Sequence, residues 1–233
     1  EEVLTFAPGV LQETGNPFDL AIVSDIRTYG NPPQPVDFDA SGKALVNGEI
    51  VFQPQAFFTV ESPDGQRYFT RNGRFFTDAV GQVVDANGNR LLRNDGLTGQ
   101  PLVLTDPLTG EPFTSFGLSE DGVLLHPETG LPLTDGNGQP ISLLITRVEN
   151  PHLLLREGSG LFRLDEQNLA NATTAALGGE VTVRQGFIER SNVDAAQSMI
   201  DMMTALRIYE SNQRVIQYYD RSLEKAVNEV GKV

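Results

Sequence analysis

The chain reads as a mainly β protein, an antiparallel outer domain, that ends in one long α-helix. Three observations predict this. Its 233 residues hold 23 glycines and 14 prolines, yet neither residue occurs between Ser191 and Val230. Before Ser191, short apolar runs alternate with turn dipeptides, the pattern of antiparallel strands. After it, every seventh residue from Ala195 is apolar: Ala195, Met202, Tyr209, Ile216, Leu223 and Val230. A seven-residue apolar repeat sustained over several heptads marks a helix with a seam to bury against other helices.

Taken in order, Glu1 to Gln12 mixes apolar residues with Pro8 and Gly9 and reads as an extended connector. The turn Thr14-Gly15-Asn16-Pro17 leads into a strand from Phe18 to Val23, and Asn31 to Pro35 is a stiff, proline-rich loop. Asn47-Gly48 lies between Ala44-Leu45-Val46 and Ile50-Val51-Phe52, a strong hairpin signal. Phe57 to Glu61 and Arg67 to Arg71 flank Pro63-Asp64-Gly65, a second hairpin. Asn72-Gly73 predicts a further turn, with the pair supplying positive φ, into Phe75-Phe76-Thr77. The short strand Gln82-Val83-Val84 follows. Thr98-Gly99-Gln100-Pro101, Thr109-Gly110-Glu111-Pro112 and Thr129-Gly130-Leu131-Pro132 share the form Thr-Gly-x-Pro. Their unequal spacing predicts recurring tight turns rather than a solenoid. Ile141 to Val148 reads as one strand, Leu161 to Leu164 as another, Asn168 to Gly179 as a surface loop, and Glu180 to Ile188 as a last strand. The predicted division is a connector at 1–14, a β-rich outer domain at 15–180, a return strand at 181–190 and a helix at 191–233.

Ser191 and Asp194 match a capping box at the helix start. Helical from Asn192 to Val230, this element would be about 58 Å long. A second apolar row, Ala205, Ile208, Val215 and Tyr219, widens the face beyond what one neighbouring helix covers. Arg207, Arg214 and Arg221 run down the opposite side, with Glu210 in i,i+3 or i,i+4 reach of the first two. They read either as a solvated face or as charges matched to carboxylates on adjacent subunits.

The formal net charge of −14 argues against nucleic acid and anionic membranes as partners and favours solubility. The absence of cysteine excludes disulfides and thiol chemistry, and suits export unfolded through an oxidising space. No apolar run approaches the ~18 residues of a spanning helix. Beginning at Glu1 without Met, the chain is expected to lack its N-terminus. His126 and His152 each sit beside proline in turn-like sequence, and no nucleophile-elbow, zinc-protease or phosphate-loop motif is present. Asp85-Ala86-Asn87-Gly88-Asn89 lacks the length and terminal glutamate of a calcium loop and reads as a turn. No catalytic residue, cofactor or metal is expected. Arg71, beside its predicted turn, is a candidate to pair across a subunit boundary.

Three segments resemble the flagellar basal-body rod proteins, within the wider rod-and-hook axial family. The first is Gln12-Glu13-Thr14-Gly15-Asn16-Pro17-Phe18-Asp19-Leu20-Ala21-Ile22. The second runs from Ala56-Phe57-Phe58-Thr59-Val60 through Pro63-Asp64-Gly65 to Tyr68-Phe69-Thr70-Arg71-Asn72-Gly73-Arg74-Phe75. The third is Gly186-Phe187-Ile188-Glu189-Arg190-Ser191-Asn192-Val193, followed by Met199, Met203, Ala205, Arg207, Tyr209, Glu210 and Asn212. Two departures stand out: Ala56 replaces the family's usual glycine, and Val23 to Gln55 stands where the family has a very short connection. That insertion, at 23–55, is expected to be an extra surface element.

The resemblance implies a structural, non-catalytic subunit, distal or proximal in the rod. In this family an N-terminal and a C-terminal helix pack together around a central tube and the β domains form outer layers. It implies export through the flagellar type III apparatus into the cell envelope and helical stacking of copies of the chain. Other rod proteins, the hook protein and envelope ring proteins would be its neighbours. The assembly interface would comprise Met199, Met202, Met203, Leu206, Tyr209, Ile216 and Leu223, with Arg207, Glu210 and Asn212. Two alternatives are a hook or other axial subunit, and an exported adhesin or glycan-binding module on a helical stalk. A stalk is disfavoured because Gln213 and Asp220 interrupt the row Met199, Leu206, Gln213, Asp220, Val227.

Overall fold

The strand Gln55–Glu61 organises the β body. In the computed structural model, which describes residues 9–30, 32–39, 41–96, 99–106, 109–190 and 195–230, its five inner residues Ala56 to Val60 are all buried. A strand covered on both faces reads as a continuous apolar run rather than an alternation. It pairs antiparallel with Arg67–Thr70 on one side. On the other it pairs with Ile145–Val148 and then with Arg90–Asn94. Ala56, Phe58 and Val60 face the larger core with Leu91, Ile145 and Phe75. Phe57 faces a smaller one with Phe69, Val148, Leu154 and Leu164. The Phe58 and Phe75 rings meet edge to face at 5.3 Å, a favoured aromatic geometry. The buried hydroxyls of Thr59 and Thr146 bond to each other at 2.6 Å, so neither is left unsatisfied.

One turn recurs, and it accounts for four of the glycines. In Asp39–Lys43, Asp78–Gln82, Asp85–Asn89 and Asp135–Gln139 the first amide donates to the fifth carbonyl. The glycine at the fourth position has positive φ, and its amide donates to the first carbonyl. The aspartate carboxylate accepts the third and fifth amides. Its side chain thus does what a backbone carbonyl would otherwise do. At Asp39 the Ser41 hydroxyl, with the amides of Lys43 and Ser41, holds the carboxyl below the usual carboxylate range. The second carboxylate oxygen of Asp85 is taken by the Asn89 side chain at 2.8 Å, as a turn rather than an ion site requires. The Thr-Gly-x-Pro segments at 109–112 and 129–132 are turns as well, with positive φ at Gly110 and Gly130, Pro112 paired with Thr105 and Pro132 with Leu125; Thr98 of the first segment lies outside the described residues, and its Pro101 pairs with Leu92.

Four readings need correction. Neither Asn72 nor Gly73 has positive φ; Gly73 is there because backbone passes too close for a side chain. Its carbonyl accepts from the Leu20 amide at 2.8 Å, and a Cβ would lie 1.5 Å from the Leu20 oxygen. The strand expected over Ile141 to Val148 breaks at Leu144: Ser142–Leu143 pairs with Arg90–Asn94, whereas Ile145–Val148 pairs with the central strand. The loop expected over Asn168 to Gly179 contains a 3₁₀ helix, Glu166–Asn171, and a strand, Ala172–Thr174. That strand pairs with the other edge of Ile145–Val148, a tertiary demand that outweighs its weak local signal. The last strand divides at Gly186, whose φ of 80° breaks the run into Val181–Gln185, paired with Leu20–Ser24, and Phe187–Glu189.

The 23–55 segment forms two hairpins. Thr28–Tyr29 pairs with Gln34–Pro35, and Arg147 ties this hairpin down by donating to the Thr28 carbonyl at 2.7 Å. Lys43–Val46 pairs with Glu49–Phe52 around Asn47 and Gly48. Their φ values of 52° and 87° are those of a primed two-residue turn. This arm pairs with no other strand among the described residues.

The chain divides into two units, Glu1–Arg190 and Ser191–Val233. The second holds the helix Ala195–Val230, 36 residues long and so about 54 Å. The capping box at Ser191 and Asp194 lies outside the described residues.

Candidate assembly interface

Two features of the molecule point to assembly, one in each unit. In the body, Leu11–Glu13 pairs antiparallel with Phe187–Glu189. The ladder continues as Arg190 donates to the Val10 carbonyl at 3.0 Å. Both ends of the body therefore leave it side by side, as a two-stranded stem. Leu11–Glu13 of the predicted connector is thus part of a paired strand.

Arg71 clasps this stem to the body. Its Nε donates to Glu189 Oε2 at 2.9 Å, and Nη2 lies 2.8 Å from the same oxygen. Nη1 donates to the Ala56 carbonyl and the Ser24 hydroxyl, and Nη2 to the Ile22 carbonyl. Glu189 Oε1 accepts the Gly9 amide at 2.7 Å. The two side chains are only 18% and 12% exposed. The expectation that Arg71 pairs across a subunit boundary is thereby corrected: every donor of its planar fork is used within the chain. Sequence reading missed Glu189 as the partner because the two stand 118 residues apart.

The helix unit carries the predicted seam. At 100° per residue, Met202, Tyr209, Ile216 and Leu223 fall on one line, with Met199 and Leu206 beside it. Ala205, Asn212 and Tyr219, then Ile208 and Val215, flank the other side. All of these are exposed. Met203 and Glu210 share a line at the edge of this face, and Arg207 lies beyond it with Arg214 and Arg221. Asn212 is therefore separated from Arg207 and Glu210 and sits within the apolar stripe, as do Gln213 and Asp220 in the column of Met199 and Leu206. Ile200 and Tyr218 are exposed as well and lie off the seam; their place on the wheel was readable from the sequence but was not singled out.

The body itself carries an exposed apolar arm. Leu45 and Ile50 face each other across it, 72% and 67% exposed. Its root is fixed: Val51 is buried, and the Phe52 ring lies 4.3 Å from that of His152. Lys43 stands over the same Phe52 ring at 5.9 Å. Burial, and then the Lys43 charge, hold His152 below its ordinary pKa of 6.5. A histidine depressed in the folded state adds stability above its unfolded pKa and loses it as pH falls. The parent is therefore expected to lose more stability than His152→Gln below pH 6.5, read as the difference in urea midpoint between the two proteins from pH 7.5 downward. Equal pH dependence in the two would refute the assignment.

Comparison with known proteins gives these features a context. Residues 184–229 match the family described as flagellar basal body rod FlgEFG protein C-terminal. Residues 52–126 match the flagellar hook protein FlgE/F/G D1 domain. The basal-body rod protein FlgG of Buchnera aphidicola subsp. Acyrthosiphon pisum is 29% identical over 207 residues, 86% of this chain and 68% of that protein. The hook-basal body complex protein FlhO of Bacillus subtilis is 28% identical over 231 residues, 98% of this chain and 70% of that protein. FlgG of Bacillus subtilis is 29% identical over 191 residues, 81% of this chain and 66% of that protein. The chain thus spans about two thirds of the length of these curated relatives.

Proposed function

Since the chain belongs to the flagellar rod and hook axial family, we propose that it works as a structural subunit of the basal-body rod, its C-terminal helix packing into an axial layer and its β body standing outside. The observation that carries this reading is the helix itself. A mainly apolar stripe four columns wide, interrupted at Gln213 and Asp220 and exposed from Met199 to Leu223 wherever its side chains are described, is unstable in water without neighbours. Covering its breadth takes more than one helix. Repetition of one such heterologous contact, without closure, generates a helical tube. The stem supports the same reading, since it pairs Leu11–Glu13 with Phe187–Glu189, the last strand before the helix in sequence. The named relatives favour a rod subunit over a hook subunit. Copies of the chain, other rod proteins and the hook protein would be its neighbours, with envelope rings around them. The subunit would reach the basal body through the flagellar export apparatus and cross the periplasmic space as part of the rod.

The test is to replace Tyr209 and Ile216 together with Asp in the full-length protein. Placing carboxylates at two consecutive seam positions costs several kcal/mol per buried charge. Rod assembly and swimming are expected to be lost while the subunit is still exported. Normal rods and normal swimming would overturn the packing role.

A further inference from the structure

We propose that the arm of one copy docks, through its tip, in a cleft on the β body of a second copy. The arm tip is a projecting apolar knob: Leu45 and Ile50 stand opposite each other beside the Asn47-Gly48 turn, with no strand covering them among the described residues. The same body carries a cavity of about 300 Å³ beside the smaller core. Its lining is mixed: Phe69, Leu144, Leu164 and Leu169 stand beside four threonines, and Arg67 contributes to its wall. Leu169, half exposed, stands at its mouth, while Phe69, Leu144 and Leu164 are buried behind it.

Charge selects this pairing from other ways of covering the tip. Glu49 adjoins the turn and is exposed, while Arg67 is half-buried at the cleft. Neither side chain has a hydrogen-bond or ion-pair partner among the described residues. An unpaired guanidinium in the wall of a half-buried cleft favours an incoming carboxylate, and Glu49 is the carboxylate that the knob carries. Glu49 points to the opposite face of the arm from Leu45 and Ile50, so a tip inserted edge-on meets the apolar part of the lining with one face and the Arg67 wall with the other. Knob and cleft are different surfaces of one chain, so the contact is head-to-tail and propagates. It uses no residue of the helix, and thus adds a lateral contact in the body to the axial packing proposed above.

The absence of cysteine makes the test direct. Leu45→Cys and Leu169→Cys are made as separate full chains, mixed and oxidised mildly. The expected product is the mixed disulfide dimer. Its yield should fall about tenfold when Glu49→Arg is added to the first chain, or Arg67→Glu to the second, and recover when both are present. Glu49 is exposed and Arg67 half-buried, and circular dichroism checks that each chain is folded. No mixed dimer, a Leu45→Cys homodimer in equal yield, or indifference to charge reversal would overturn the proposal. Repeating the mixture with Ile216→Asp in both chains separates this contact from helix packing. The yield is expected to be unchanged, and its loss would overturn the assignment to the body.

Discussion

Gly73→Ala is expected to unfold the β body, at a cost on the order of 4 kcal/mol or more. The argument rests on space rather than on backbone conformation. A Cβ on Gly73 would lie 1.5 Å from the Leu20 carbonyl oxygen and 2.6 Å from its carbon. It would also lie 3.2 Å from Cε2 of Phe58. Backbone is the obstacle, so no rotamer change relieves it. Moving the Leu20 strand away breaks the 2.8 Å bond from its amide to the Gly73 carbonyl. It also opens the larger core at Leu20, Phe58 and Phe75. A loss of this size is a large share of the 5–15 kcal/mol that holds a typical domain. Gly88→Ala is the control. That position has φ +81° but open space around it, so its cost is the left-handed penalty alone, about 1–2 kcal/mol. Urea unfolding followed by far-ultraviolet circular dichroism compares the two. If Gly73→Ala costs no more than Gly88→Ala, close backbone approach is not the reason for the glycine.

Gly73 also marks the limit of what the residues disclose. Asn-Gly after a strand is a turn signal, and the same dipeptide at Asn47-Gly48 does form a primed turn. At Asn72-Gly73 the glycine serves a contact with residue 20, which no local pattern reveals. Elements defined by their own neighbours were readable: the hairpins around Asn47-Gly48 and Pro63-Asp64-Gly65, the Thr-Gly-x-Pro turns and the heptad helix. Elements defined by distant partners were not. Ala172–Thr174 becomes a strand because Ile145–Val148 has an edge to cover. Leu144 breaks a run of apolar residues because the flanking pairs serve two different neighbours. The helix seam was legible residue by residue, since heptad spacing alone places Met202, Tyr209, Ile216 and Leu223 in one line. The clasp of the stem was not. Nothing in a single sequence couples Arg71 to Glu189, although both fall inside segments that resemble family motifs.

Arg71→Ala is expected to cost about 3 kcal/mol and to release the stem, whereas Glu189→Gln should cost less and release Gly9 alone. The difference follows from what each side chain holds. Removing the guanidinium leaves the Glu189 carboxylate largely buried without its counter-charge, and strips donors from the Ala56 and Ile22 carbonyls and the Ser24 hydroxyl. Glu189→Gln keeps an acceptor for one partner but cannot serve both Arg71 and the Gly9 amide as the carboxylate does. Arg71→Lys retains the charge, yet a single ammonium cannot span Glu189 and two carbonyls, so it should fall between the two. Because the pair is mostly shielded from solvent, the loss should change little between low and moderate salt. Amide exchange separates clasp from core. In Glu189→Gln, Gly9 should exchange faster while Leu20 and Val60 stay protected. In Arg71→Ala, the Thr14 and Arg190 amides, which bond the Gly186 and Val10 carbonyls across the stem, should also exchange faster. If Arg71→Ala leaves these stem amides protected, the β ladder alone holds the stem. The stem would then be held by strand pairing, without the clasp.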